Sequence, residues 1–154
     1  MSWVVDTCVL VDVFEGDPEF AGASADALDA LSPEGLVVSP ATFVELAPAF
    51  HGDIEGEREF LAALGVETDA AFDDDVLLAA HRAWHRHILR KRAGEAPKRP
   101  VADVLIGALA MRRSGLLTRN AGDFRSLFPA LRIRVPVGRE QGTGGREQGT
   151  GGRE

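Results

Sequence analysis

The stretch that most constrains this chain is Trp3-Val4-Val5-Asp6-Thr7, three strand formers that end abruptly in a carboxylate. A short apolar run without polar alternation reads as a strand buried on both faces, as in parallel sheets. Leu36-Val37-Val38-Ser39, Leu116-Leu117-Thr118 and Arg132-Ile133-Arg134-Val135 are further short strands, and Gly65-Val66-Glu67-Thr68 is a turn into another. Helical segments separate them, and strands alternating with helices argue a parallel α/β sheet. In such open sheets the reactive crevice lies outside the carboxyl ends of the strands, where Asp6 would sit.

The helices carry their own signals. An apolar-rich helix starts at Thr7 and runs to Phe14. Asp17-Pro18 and Ser39-Pro40 each pair an N-cap with a proline at the first helical position, opening helices to about Leu31 and Ala47. Asp53 caps a helix through Leu64. From Asp74 a long helix presents Val76, Leu77, Ala80, Trp84, His87 and Ile88 at steps of three and four, a core-facing stripe. Pro100 opens a helix through about Ser114 that is apolar on nearly every side, expected in the middle of the fold, and Gly115 is expected to end it. A short helix over Asp123–Phe128 precedes the last strand.

A chain of 154 residues is one domain by size. The domain is expected over 1–137. From Gly138 a glycine-rich heptad, Gly-Arg-Glu-Gln-Gly-Thr-Gly, repeats to Glu154 without an apolar residue, and 138–154 is expected to be a disordered tail. Cys8 is the only cysteine, which excludes an intrachain disulfide and a cysteine-rich zinc site. No signal peptide precedes Trp3 and no apolar run is long enough for a membrane span, so a cytoplasmic protein without membrane contact is expected. The net charge of −7 hides a division: residues 1–81 carry a single basic residue, Arg58, and sum to −17, whereas 82–154 sum to +10. Such asymmetry fits an acidic site beside a basic track for a polyanion, or two solvated faces of opposite sign.

Four acids stand out. Asp6 either faces the crevice or caps the helix that begins at Thr7. Glu45 is embedded in Phe43-Val44-Glu45-Leu46 and either points to water or lines a site. Asp103 lies in the first turn of the most apolar helix, with Ile106, Gly107 and Ala110 on its own face. An unpaired carboxylate there is expensive unless a metal or cation offsets it. Asp123 follows the Leu116-Leu117-Thr118 strand and can both cap a helix and serve a site, with Thr118 and Asn120 offering oxygens to a metal shell or its waters. Thr7 caps its helix or hydrogen-bonds a neighbouring carboxylate. Asp12 is expected to be a solvated helix residue and Cys8 a small core residue. His81 and His85 have the i, i+4 spacing of a zinc pair, but Arg82 stands where the metalloprotease motif has glutamate. With His87 they read as surface histidines.

Carboxylates gathered without balancing cations repel one another, and such a cluster persists when it binds a hard divalent cation. In order along the chain, Val4-Val5-Asp6-Thr7-Cys8-Val9-Leu10, Thr42-Phe43-Val44-Glu45-Leu46, Ala102-Asp103-Val104-Leu105-Ile106-Gly107-Ala108 and Leu116-Leu117-Thr118-Arg119-Asn120-Ala121-Gly122-Asp123-Phe124 resemble the acidic motifs of PIN-domain ribonucleases. Each is weak alone, but the ordered set is specific, and it spans roughly Ser2 to Val135. Within that family the chain looks like a VapC-type toxin of a bacterial toxin–antitoxin pair. The resemblance implies a three-layer α/β sandwich, with a central parallel five-stranded sheet flanked by helices. It implies RNA cleavage dependent on Mg²⁺ or Mn²⁺, with Asp6 and Asp103 as direct ligands and Glu45 and Asp123 completing the shell. Asn120 stands where many relatives have an acid, so Asn120 or Asp123 fills the fourth position. It also implies an antitoxin partner and a homodimer. The expected RNA track is basic: Arg82, Arg86, Arg90, Lys91, Arg92, Lys98 and Arg99, together with Arg119. Two rivals remain, a PIN-like binding module without turnover and an aspartate-dependent phosphatase. The phosphatase expects a second Asp two residues after the first, where this chain has Cys8.

Overall fold

The computed structural model describes residues 1–68, 70–96 and 100–137. The expected tail, and the expected RNA contacts Lys98 and Arg99, lie outside the described residues.

Five short strands form one sheet: β1 (Trp3–Val5), β2 (Leu36–Val37), β3 (Val66–Glu67), β4 (Gly115–Leu117) and β5 (Ile133–Arg134). All neighbours are parallel and their order is β3-β2-β1-β4-β5. The first strand is therefore central, with Val4 opposite both Val37 and Leu116. Seven described α-helices connect and cover the strands: α1 (Thr7–Glu15), α2 (Ala21–Leu31), α3 (Pro40–Glu45), α4 (Ile54–Ala63), α5 (Asp74–Arg92), α6 (Val101–Met111) and α7 (Ala121–Leu127). Successive strand residues point to opposite faces, and this splits the core. Val4, Val37 and Leu116 pack with α5, α6 and α7 on one face. Trp3, Val5, Leu36, Val38 and Leu117 pack with α1, α2 and α4 on the other. The result is the expected α/β sandwich of helix, parallel sheet and helix.

Several local expectations are corrected. After Asp17-Pro18 the helix begins at Ala21, because the Asp17 carboxylate accepts from the N–H groups of Glu19 and Phe20 and closes a turn first. On α5 the buried ridge is Val76, Ala80, Ala83 and His87, at steps of four, three and four. Leu77 lies one position round the helix and is exposed. Of the two readings of His87, the core-facing stripe holds and the surface one does not: it is buried, its ring 5.7 Å from that of Trp84, while His81 and His85 are exposed. Gly115 does not end α6; Arg112 caps that helix and Gly115 opens β4 at φ +154°. A side chain there would run into the Arg132 carbonyl and the Trp3 ring, so the close approach of β4 to both requires glycine. The centre of α6 is buried as expected, although Val101 and Met111 at its ends are exposed.

Candidate metal site

Asp6 is the residue after β1 and the N-cap of α1. Its backbone N–H donates to the Leu117 carbonyl at 2.9 Å, carrying the β1–β4 ladder one step past the strands. Its Oδ1 accepts the Thr7 N–H at 2.8 Å, so the side chain caps the helix. Its Oδ2 accepts the Thr118 hydroxyl at 2.7 Å and the Cys8 thiol at 3.4 Å. Capping and facing a crevice are thus not alternatives for this residue. Only 5% of Asp6 is exposed. Burial pushes its carboxyl above the usual carboxylate value, against the hydrogen bonds from Thr118, Cys8 and Thr7 and the charge of Arg119. The same burial, with the nearby Asp6 charge, pushes the Cys8 thiol up to about 11. Cys8 is therefore not simply a core residue: it is half-buried and donates to the central acid.

The other acids arrive from different elements. Glu45 is the last residue of α3, a helix set at the end of β2 by the Ser39 cap, whose hydroxyl accepts the Ala41 N–H at 3.2 Å. Glu45 is exposed, yet its Oε1 accepts the Thr7 hydroxyl at 2.8 Å, and that hydroxyl lies 3.1 Å from the one on Thr42. Asp103 sits in the first turn of α6 and is half-buried. Asp6, Glu45, Asp103 and Asn120 line one open cleft of about 330 Å³, together with Thr7, Cys8, Val11, Asp12 and Arg119. Asp123, in the first turn of α7, is not among the lining residues. Asn120 occupies the N-cap position of α7 but makes no side-chain cap there. Its side chain is thus not spent on the helix. Thr118 plays a different part from the expected one: its hydroxyl is turned to Asp6 as a donor and also accepts the Asn120 N–H at 3.0 Å.

Asp12 overturns its expectation. It is only 5% exposed, although it was read as solvated. Arg119 Nε donates to Asp12 Oδ2 at 2.6 Å and Nη2 to Oδ1 at 3.0 Å, the two-pronged pairing of guanidinium with carboxylate. The guanidinium lies over the Phe20 ring, 4.0 Å from its centroid, and the Ser24 hydroxyl donates to Asp12 at 3.3 Å. Arg119, expected to meet RNA, is thereby held on the protein. A sequence signal for Asp12 existed: it follows the buried Val9 by three residues and so falls on the inner face of α1.

Of the remaining basic residues, Arg82, Arg86, Arg90, Lys91 and Arg92 are exposed on α5 and none lines the cleft. Arg90 donates to the Ser126 carbonyl at 3.2 Å.

The donors of the cleft suit a hard divalent cation in kind, being carboxylates and an amide oxygen. Asp6, a buried acid under a burial penalty, is where a positive ion would gain most. Among the described residues no three His, Cys, Asp or Glu side chains are gathered closely enough to form a bare ion's cage.

The sequence profile of the PIN domain matches residues 3–127. No curated protein matches the chain. Among solved structures the chain is similar to VapBC2 from Rickettsia felis, bound to a DNA fragment from its promoter, with a TM-score of 0.65 and 17% identity over 88% of this chain and 98% of that one. It is similar to VapBC-1 from nontypeable Haemophilus influenzae, with a TM-score of 0.65 and 22% identity over 88% and 98% of the two chains. A toxin–antitoxin complex from Klebsiella pneumoniae gives a TM-score of 0.58 and 23% identity, again over 88% and 98%. These likenesses concern the fold. Together with a profile match over most of the chain they lead to one conclusion: the chain belongs to the PIN domain family.

Proposed function

We propose that this protein is a divalent-metal-dependent endoribonuclease and the toxin of a bacterial toxin–antitoxin module. The observation that carries the reading is the meeting of Asp6, Glu45 and Asp103 with Asn120 in one cleft, from four elements spread over more than a hundred residues. Family membership favours nuclease chemistry. The fold likeness to toxin–antitoxin complexes favours an antitoxin partner.

Asp6 and Asp103 would hold Mg²⁺ or Mn²⁺ directly, and Glu45 would complete the shell or orient water. Asn120, which lines the cleft, is better placed for the fourth role than Asp123, which does not. When bound, the ion supplies a more acidic water as nucleophile and charge stabilisation at the phosphodiester. The chain's own groups do the rest. Thr118, Cys8 and the Thr7 N–H fix the Asp6 carboxylate through both oxygens. The Thr7 hydroxyl orients Glu45 across the cleft mouth. Arg119, locked to Asp12, supplies positive charge near Asp6 without leaving the protein. The exposed basic face of α5, continued in sequence by Lys98 and Arg99, is the proposed RNA track.

The test is cleavage of a mixed single-stranded RNA pool with Mg²⁺ or Mn²⁺, comparing wild type with Asp103→Asn. The variant should keep its far-ultraviolet spectrum and lose roughly a hundredfold or more in rate, as removal of a few kcal/mol of transition-state stabilisation requires. Equal rates, or cleavage unaffected by EDTA, would sink the reading.

A further inference from the structure

Glu57 is a buried acid whose Oε2 has no hydrogen-bond partner among the described residues. It lies on α4 and is only 2% exposed. Burial pushes its carboxyl up, opposed only by the charge of neighbouring Arg58. Arg58 is itself turned toward the Phe43 ring, 5.8 Å from its centroid. Leaving a carboxylate covered and unbonded is costly, and most buried acids are paired.

Glu57 also lines a cavity of about 190 Å³ between the end of α3 and the start of α4. The other walls are Phe43, Val44, Ala47, Gly52, Asp53 and Ile54. Val44 and Ile54 are 69% and 56% exposed, a large apolar area left in water. Asp53 is already engaged, since its Oδ1 accepts the Gly56 N–H at 3.0 Å as the α4 cap. Glu57 is thus the acid available to an occupant. An apolar cavity with one buried acid suits a side chain with an aliphatic stem and a cationic tip. A bare divalent ion would want more oxygens. A nucleic acid would be repelled, because two of the lining residues, Asp53 and Glu57, are acids and none of them is basic.

We propose that this cavity receives an arginine or lysine side chain from a protein partner, with its stem against Phe43, Val44 and Ile54 and its cationic end on Glu57. The inference rests on the toxin–antitoxin reading in one respect, that the partner is the antitoxin. Val44 and Glu45 are adjacent on α3, so a segment seated here reaches the mouth of the acidic cleft.

The probe is N-acetyl-leucyl-arginine amide, titrated into labelled full-length protein by NMR against its uncharged citrulline counterpart. Shifts should concentrate at the amides of Gly52, Gly56 and Glu57. The arginine peptide should bind roughly tenfold more tightly, as a charge-assisted hydrogen bond requires. Glu57→Gln should abolish that preference and Asp103→Asn should keep it. The Glu57 side-chain carboxyl carbon in wild type should move with arginine and stay still with citrulline, a measurement that needs no variant. Equal affinity for the two peptides overturns the proposal. So does a preference that survives Glu57→Gln, or one lost in Asp103→Asn because the cation sits in the catalytic cleft instead. Absence of RNA cleavage would defeat the nuclease reading and leave this result standing, so the two failures are distinguishable.

Discussion

Asp6 bears two demands at once, to cap α1 and to remain a nearly buried acid at the end of the central strand. Its pKa is raised above the ordinary value of 3.8 by burial. Between the unfolded and folded values the native state holds a proton that the unfolded chain has released. Stability therefore falls as pH rises through that window and stays lowered above it. In EDTA at pH 7, Asp6→Asn should raise the urea midpoint above wild type, and the gain should shrink as pH falls toward the unfolded value. A midpoint below wild type at pH 7 would show that the hydrogen bonds from Thr118 and Thr7 outweigh the burial penalty. Asp12 behaves differently, because its charge is matched. Removing Arg119 leaves the buried Asp12 charge with only the Ser24 hydroxyl, and Arg119→Ala should cost about 3 kcal/mol, the range for breaking a covered ion pair. Asp12→Asn combined with Arg119→Ala should cost less than the sum of the single changes in a denaturation cycle. Strict additivity would mean that the pair is not coupled.

At the scale of elements, α6 carries the acid Asp103 on a helix with almost no polar face. Gly107, one turn after Asp103, is buried against the ring of Phe128, and a methyl group there would overlap that ring. Alanine improves helix propensity by about 1 kcal/mol, while overpacking costs about 1–3 kcal/mol. Gly107→Ala should therefore lower stability by about 1 kcal/mol on balance, read as a fall in thermal midpoint. A rise would show that Phe128 moves aside at no cost. The long helix α5 divides its faces cleanly: Val76, Ala80, Ala83 and His87 turn inward, and Arg82, Arg86, Lys91 and Arg92 turn outward.

For the whole molecule the question is how so acidic a protein holds a polyanion. The cleft is lined by four acids, Asp6, Asp12, Glu45 and Asp103, and the arginine that lines it is paired with Asp12. Affinity for RNA must then come from cations elsewhere, and the exposed face of α5 is the densest described group. If about three phosphates are contacted, log affinity should fall against log salt with a slope near −2 for single-stranded RNA. Replacing Lys91 and Arg92 with alanine should bring the slope toward about −0.7. Apparent Mn²⁺ affinity, measured separately, should stay unchanged. An unaltered slope would place the track on another surface.

Sequence alone determined the alternation of strands and helices, the parallel sheet it argues and the carboxylates worth watching, because those follow from local pattern, whereas the strand order came from the packed sheet. The Trp3-Val4-Val5 run reads as a doubly buried strand, and the Asp53, Ser39 and Asp6 caps are written in residue types. What only the tertiary structure decided is which charges meet. Asp12 and Arg119 are separated by more than a hundred residues, and no local rule pairs them. The same holds for Thr118 turning its hydroxyl to Asp6, and for Asn120 rather than Asp123 lining the cleft. Burial and long-range hydrogen bonding depend on how β1 and β4 lie side by side, and that is a property of the packed sheet rather than of either strand.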